Sequence, residues 1–339
     1  MTQNMENLPQ GSFNRVTVDS AAAERISKPA LSFWQDAWLR IRKNKAAIIS
    51  MVLLLLIFVM SFVGPTLSAH ESDVQTITHA NLPPKIPGFE KLGFWDGHAK
   101  LGGTEVDMYE MKKVDTNYWF GTDGLGRDMF SRVWEGTQIS LLIAFVAAFI
   151  DMVVGVAYGG ISAYYGGRTD DIMQRIVEIL VGIPNLVVVI LMILVMDPGI
   201  MAIIIAISIT GWIGMSRIVR GQILKFKNQE FVLAARTLGA SDSRIIQKHL
   251  LPNILAIIII NTMFTIPGAI FFEAFLSFIG LGLQPPAASL GTLINDGFRL
   301  IQFQPHILLF PSIILSILMI AFNLLGDGLR DALDPKMKD

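Results

Sequence analysis

Six apolar runs, at about residues 46–64, 138–162, 172–196, 200–216, 254–281 and 307–326, constrain this chain more than anything else in it. A helix needs about 20 apolar residues to cross the ~30 Å hydrocarbon core, where no water satisfies backbone N–H and C=O groups. The fourth run is short, but Asp197-Pro198-Gly199 parts it from the third as a turn signal. Six spans are therefore expected rather than five. With 52% apolar and 16% charged residues, the chain reads as a polytopic helical membrane protein and not as a soluble domain. Cysteine is absent, which excludes disulfides, thiol nucleophiles and Cys-based metal sites.

Charge along the chain sets an orientation. Residues 1–45 carry seven Lys/Arg, and segment 217–252 carries seven against two acids. The loop 65–136 carries seven against eleven acids. By the positive-inside rule both termini and 217–252 are expected in the cytoplasm, and 65–136 outside. Residues 1–27 are polar and small, so no cleaved signal peptide is expected, and 1–30 reads as a flexible cytoplasmic tail. Residues 31–45 read as an interfacial helix, with Trp34, Trp38 and Ile41 on one face and Arg40, Arg42, Lys43 and Lys45 beside it. Span 1 follows at 46–64, the core of spans 2–6 at 137–326, and a cytoplasmic tail at 327–339. The outer loop is rich in turn residues, and its alternation is too weak to assign strands.

The polar island Asn228–Asn253 (NQEFVLAARTLGASDSRIIQKHLLPN) interrupts the apolar runs. Asn228 is a candidate N-cap, and Phe231, Ala235 and Leu238 share one helical face. Gly239 should stop that helix, Ser241 and Asp242 should cap a second short one, and Pro252 should close it. The pattern predicts two short helices hinged at a glycine. An ordinary solvated loop is the plainer alternative.

Two acids fall inside spans: Asp151 in the second and Glu273 in the fifth. At mid-bilayer an acid costs about 2.5–3.5 kcal/mol, so each should face protein, a partner or a wet cavity. Either one, with Ser277, could line a path or gate, and either could be a buried strut. Pro184 and Pro267 are candidate kinks in spans 3 and 5. Catalytic motifs fail: the five histidines form no HExxH pair, and no GxSxG or GxxxxGK[ST] occurs. The segment Phe120–Arg132 (FGTDGLGRDMFSR) lacks EF-hand spacing. An intramembrane acid enzyme or channel would need Asp151 and Glu273 to meet.

Four motifs, in order, carry a resemblance. Gly121–Arg132 (GTDGLGRDMFSR) resembles the signature before the second span of "C" subunits in dipeptide, oligopeptide and nickel permeases. Ala234-Ala235, Gly239 and Leu251-Pro252 resemble the "EAA" loop of ABC importer permeases, although Leu233 stands at the Glu position and His249 where Ile is usual. EAFLSFIGLG from Glu273 resembles the fifth-span signature, and GLGLQPPAASLG follows, with Leu290 where relatives commonly have Trp. The resemblance spans about residues 31–335. It implies an all-α type I ABC importer permease with six transmembrane helices and an extended outer loop, most like an oligopeptide permease C subunit. Nickel, dipeptide and other small solutes are the alternative cargoes.

Several further expectations come with that resemblance. Glu230, Phe231, Ala234, Ala235, Arg236, Leu238, Gly239, Ala240, Ser241, Leu251 and Pro252 would dock on and couple to the ATPase. Asp123, Arg127 and Asp128 would satisfy one another at the span entrance. The implied partners are a second homologous permease, two ABC ATPase subunits, an extracytoplasmic peptide-binding protein and the lipid bilayer of the plasma membrane. No nucleic acid is expected among them. This chain would be non-catalytic and hold no cofactor or metal, with ATP and Mg used by the ATPases.

Overall fold

The computed structural model describes residues 32–68, 70–89, 95–101 and 103–333. The tail expected at 1–30 lies outside the described residues, as do 334–339. The helix expected at 31–45 forms as α1 (Phe33–Lys43), opened by a capping box in which Ser32 and Gln35 exchange side-chain and backbone hydrogen bonds. Asn44 then breaks the helix in extended conformation, and its side chain accepts from Ala47 N to start the first span, α2 (Lys45–Leu67).

The loop after α2 is built rather than irregular. A short hairpin, β1 (His98–Leu101) and β2 (Thr104–Asp107), pairs in the register His98↔Asp107. It leads into α3 (Met108–Lys112), whose N-cap Asp107 accepts from Tyr109 N and Glu110 N. Leu82, Met108, Tyr109, Val114 and Tyr118 bury one another as a small core. Four-residue strands give too little alternation to be read from sequence.

The remaining helices are α4 (Met129–Tyr165), α5 (Gly167–Val181), α6 (Asn185–Met196), α7 (Ile200–Phe226), α8 (Glu230–Thr237), α9 (Asp242–Phe278), α10 (Leu290–Arg299) and α11 (Pro305–Leu333). Five of them are long and apolar enough to cross a membrane, and α5 with α6 makes a sixth candidate bent by 81°.

Helix direction decides the number of crossings. A Cβ on Gly155 of α4 would strike Trp212 and Met215 of α7, and one on Gly159 would strike Ser216 and Arg220. Asp151 of α4 lies against Gly211 of α7, and Lys227, just past α7, donates to Ala163 O near the end of α4. Residue numbers rise together, so α4 and α7 are parallel. The chain can run parallel twice only by recrossing between them, which makes α5–α6 a true span. Six crossings follow. By the same logic Gly328 near the end of α11 abuts Ala47 near the start of α2, so the start of the first span and the end of the last lie on one face.

Four expectations change. Span 3 is not continuous over 172–196; it breaks at Gly182-Ile183-Pro184, where proline withholds a backbone N–H. Pro267, in contrast, is carried within an unbroken α9. Pro252 closes nothing: α9 runs from Asp242 through a π-helical turn at Ile246–Leu250 into the fifth span, and Pro252 sits at the start of the long α-helical stretch. The tail assigned to 327–339 is helical as far as Leu333.

The seam between α4 and α7 yields a test. Gly159→Val should drive a branched side chain into the Ser216 carbonyl and cost about 1–3 kcal/mol or more. Gly221→Ala, on α7 with open space around it, should leave stability equal or slightly higher. Thermal unfolding of both variants in detergent checks the pair, and equal melting would refute the close contact.

Candidate functional site

The loop between α7 and α9 is folded onto the ends of its own spans. Asn228 is not the cap; Gln229 holds that position, without a side-chain cap bond. Glu230 lies in the first turn of α8, where its charge favours the helix dipole. α8 ends with two bonds, Gly239 N to Arg236 O at 3.0 Å and Ala240 N to Ala235 O at 3.0 Å. This is a Schellman closure, and it puts Gly239 at φ +80°. Gly239 is thus required for a fixed left-handed turn, rather than as the flexible hinge expected. Ser241 then caps α9, accepting from Arg244 N at 3.4 Å as expected.

Asp242 has a second task. Tyr164 OH, at the end of α4, donates to Asp242 Oδ1 at 2.6 Å, while the Arg236 guanidinium lies 5.8 Å from the Tyr164 ring centre. Lys227 Nζ donates to Ala163 O at 2.7 Å. Val232, Ile245, Leu250 and Ile254 are buried against Ala163, Tyr164, Met215, Val219 and Ile223. Next to this cluster, Arg220 of α7 grips Asp170 of α5 through two bonds, at 2.6 and 2.8 Å, and Ser162 of α4 also donates to Asp170. The ends of spans 2, 3 and 4 and the root of span 5 are locked together.

That packing splits the expected stripe. Ala235, with Ala240 and Leu251, turns inward onto the cluster. Phe231, Leu233 and Leu238 point outward, and Leu238 is 87% exposed. Glu230, Ala234, Arg236, Gly239, Ser241 and Pro252 are exposed around them. The loop therefore exposes three large apolar side chains in a polar frame.

The two intramembrane acids are treated in opposite ways. Glu273 is fully buried, and both of its oxygens accept: Oε2 from Ser140 Oγ of α4 and Oε1 from Ser277 Oγ, each at 2.8 Å. Ser140 Oγ in turn accepts from Leu290 N at 3.3 Å, and Ser289 Oγ donates to Ser277 Oγ at 3.2 Å. Glu273 thus ties α4, α9 and the start of α10 into one knot, and Ser277 belongs to that knot. Asp151 is 3% exposed, and its Oδ1 has no partner. It lies eleven residues beyond Ser140, ~16 Å along α4. The acid pair that an intramembrane enzyme would need is not formed.

On the opposite face, Asp123 accepts from Arg127 Nε at 2.7 Å and from the backbone N–H of Leu125 and Arg127. Asp128 does not join them. It caps α4, accepting from Phe130 N and Ser131 N, and receives the hydroxyls of Ser131 and Ser68. Arg132 is the further cation, its Nε 3.8 Å from Asp123. Sequence reading missed Tyr164, Lys227, the Asp170–Arg220 pair, Ser140 and Ser289. Only Ser289 carried a local signal, the capping box with Thr292 that opens α10.

Residues 151–339 match the family of binding-protein-dependent transport system inner membrane components. The chain belongs to this family. Residues 32–84 of the permease match the N-terminal TM domain of oligopeptide transport permease C. It is 48% identical to the dipeptide transport system permease protein DppC of Bacillus subtilis (strain 168), covering 93% of this chain and 90% of the relative. Identity to the oligopeptide transport system permease protein OppC of the same organism is 43%, over 98% and 100%. With OppC of Escherichia coli (strain K12) it is 38%, over 93% and 95%. A solved structure of the MetNI methionine ABC transporter, in an inward-facing conformation, superposes with a TM-score of 0.51 at 21% identity. The superposition covers 60% of the permease and 97% of that chain, and shows a shared fold.

Glu273 gives the test of this site. Glu273→Ala strips the acceptor from two buried hydroxyls and should cost about 2–4 kcal/mol, while Glu273→Gln, which keeps one acceptor oxygen, should cost less. Thermal unfolding ranks the variants. A pathway residue with no structural duty would leave both melting temperatures unchanged.

Proposed function

We propose that this permease is one of two transmembrane subunits of an ATP-driven importer for oligopeptides, and that the apolar side chains exposed at α8 dock on an ATPase. The cargo reading rests on the relatives, which are named for dipeptide or oligopeptide transport, and on the N-terminal match, whose family is named for oligopeptide transport permease C. The observation that carries the docking reading is the exposure of Phe231, Leu233 and Leu238 on a loop otherwise packed against its own spans. Apolar side chains displayed in this way outside the membrane suit a protein partner. The charge asymmetry supports a cytoplasmic location for that loop and for both termini.

In this reading the sister permease, two ATPases and an outer binding protein complete the assembly. ATP and Mg are handled by the ATPases, and this chain does no chemistry. Closure of the ATPase pair moves α8, and α9 carries the displacement into the fifth span without a break in helix. Nucleotide and cargo each shift the balance of inward-open and outward-open states only by binding one more tightly.

Affinity purification from the native membrane tests the assembly: two ATPases and a second permease should accompany the chain, and recovery of the chain alone would count against it. A cysteine at Leu238 should react quickly with maleimide in the isolated permease and slowly in the complex. Equal rates would remove the docking surface. Gly239→Val, forced to φ +80° with a branched side chain, should lose assembly or coupled transport. Normal uptake and ATPase stimulation in that variant would refute the coupling role.

A further inference from the structure

We propose that Asp151 is a binding site for the cationic group of the transported solute. On the peptide reading above, on which this inference rests, that group is the primary ammonium of the amino terminus.

Among the acids described above, Asp151 is the one left unsatisfied. Glu273 is held by serines, Asp170 by Arg220, and Asp123 by Arg127. Asp151 Oδ1 is buried without any hydrogen-bond partner, although a carboxylate can accept from several donors at once. Ser208 Oγ, also buried and without a partner, lies one turn from Gly211 on α7. An ammonium carries three donors and no acceptor, the complement of a carboxylate oxygen that lacks a donor.

Depth fits transport. Gly211 lies eleven residues from the start of α7, ~17 Å along its axis, or about mid-bilayer. α6 is 12 residues long, so its first residue, Asn185, reaches a similar level, ~17 Å from its far end. Thr210 Oγ1 donates to Asn185 Oδ1 at 3.0 Å, which fixes the break in span 3 next to Gly211. Residues 181–187 at that break are all exposed. A discontinuous helix beside an ionisable group at the midplane is the arrangement from which membrane transporters build solute sites.

The barrier between Asp151 and this open surface is one glycine. Gly211 is itself exposed, and a Cβ built on it would fall 2.6 Å from Asp151 Oδ1. The carboxylate thus occupies the space that a side chain at 211 would fill. Here the seam is closed, so the site opens only as α4 and α7 part at Gly211. A cation held there binds one state more tightly than the other, which is the difference that coupling needs.

The experiment uses the intact complex in liposomes with its binding protein. Uptake is followed for a peptide with a free amino terminus and for its N-acetylated form, in wild type and in Asp151→Asn. Uptake of the free-amine peptide should fall roughly tenfold or more in the variant, as loss of a charge-assisted hydrogen bond implies, with little change for the acetylated form. Equal uptake of both peptides by variant and wild type overturns the proposal. The chain contains no cysteine, so Asp151→Cys gives a second measurement that reports on this position alone within the chain. It should be alkylated during ATP turnover and protected by the free-amine peptide. Absence of alkylation in every nucleotide state overturns the proposal even where Asp151→Asn does not assemble. If wild type moves no peptide, the cargo reading fails separately, and alkylation during turnover still decides whether Asp151 meets the path.

Discussion

The close parallel contact of α4 and α7 is the constraint on which the rest of the permease depends. It is made by absence: glycines at 155 and 159 let the two backbones approach where any side chain would collide. Membrane helices gain little from hydrophobic burial against one another, since lipid is equally apolar, so small residues that permit backbone approach are what specify a partner. Once α4 and α7 are parallel neighbours, span 3 must recross between them. Its break, the placement of Asp151 on Gly211 and the docking of the α8 loop onto Tyr164 all follow from that geometry.

Two acids of similar chemistry show how burial is resolved in opposite senses. Glu273 is surrounded by hydroxyls that all donate toward it, an arrangement that binds three segments together and leaves nothing over. Asp151 lies against Gly211, and its Oδ1 retains unused acceptor capacity. A fully satisfied buried polar group specifies structure.

Much of the architecture was legible in the sequence because the bilayer imposes a single rule, that spans be long and apolar. Five of the six runs as unbroken helices, a helix over 33–43, the turn at Asp197-Pro198-Gly199 and the Ser241 cap all obey local rules, and all are present. What could not be read depends on contacts distant in sequence. Nothing local pairs Tyr164 with Asp242 or Ser140 with Glu273, 78 and 133 residues apart. Pro252 misled because proline both ends helices and opens them, and only tertiary context chooses. Asp128 misled for a similar reason: beside Arg127 it looked like half of an ion pair, yet a cap on a 37-residue helix claimed it. The stripe Phe231–Ala235–Leu238 was split, since the loop buries Val232 and Ala235 on its own spans and leaves Phe231 and Leu238 exposed.

The Schellman closure at Gly239 has a mechanical consequence. With its turn fixed by two backbone bonds and its root bolted by Tyr164, the loop is a crank and not a swivel. A push on α8 cannot be absorbed by bending at the elbow. It reaches Tyr164 and the root of α9 as motion of one stiff body. Compliance must then reside beyond that body, at the 81° break in span 3.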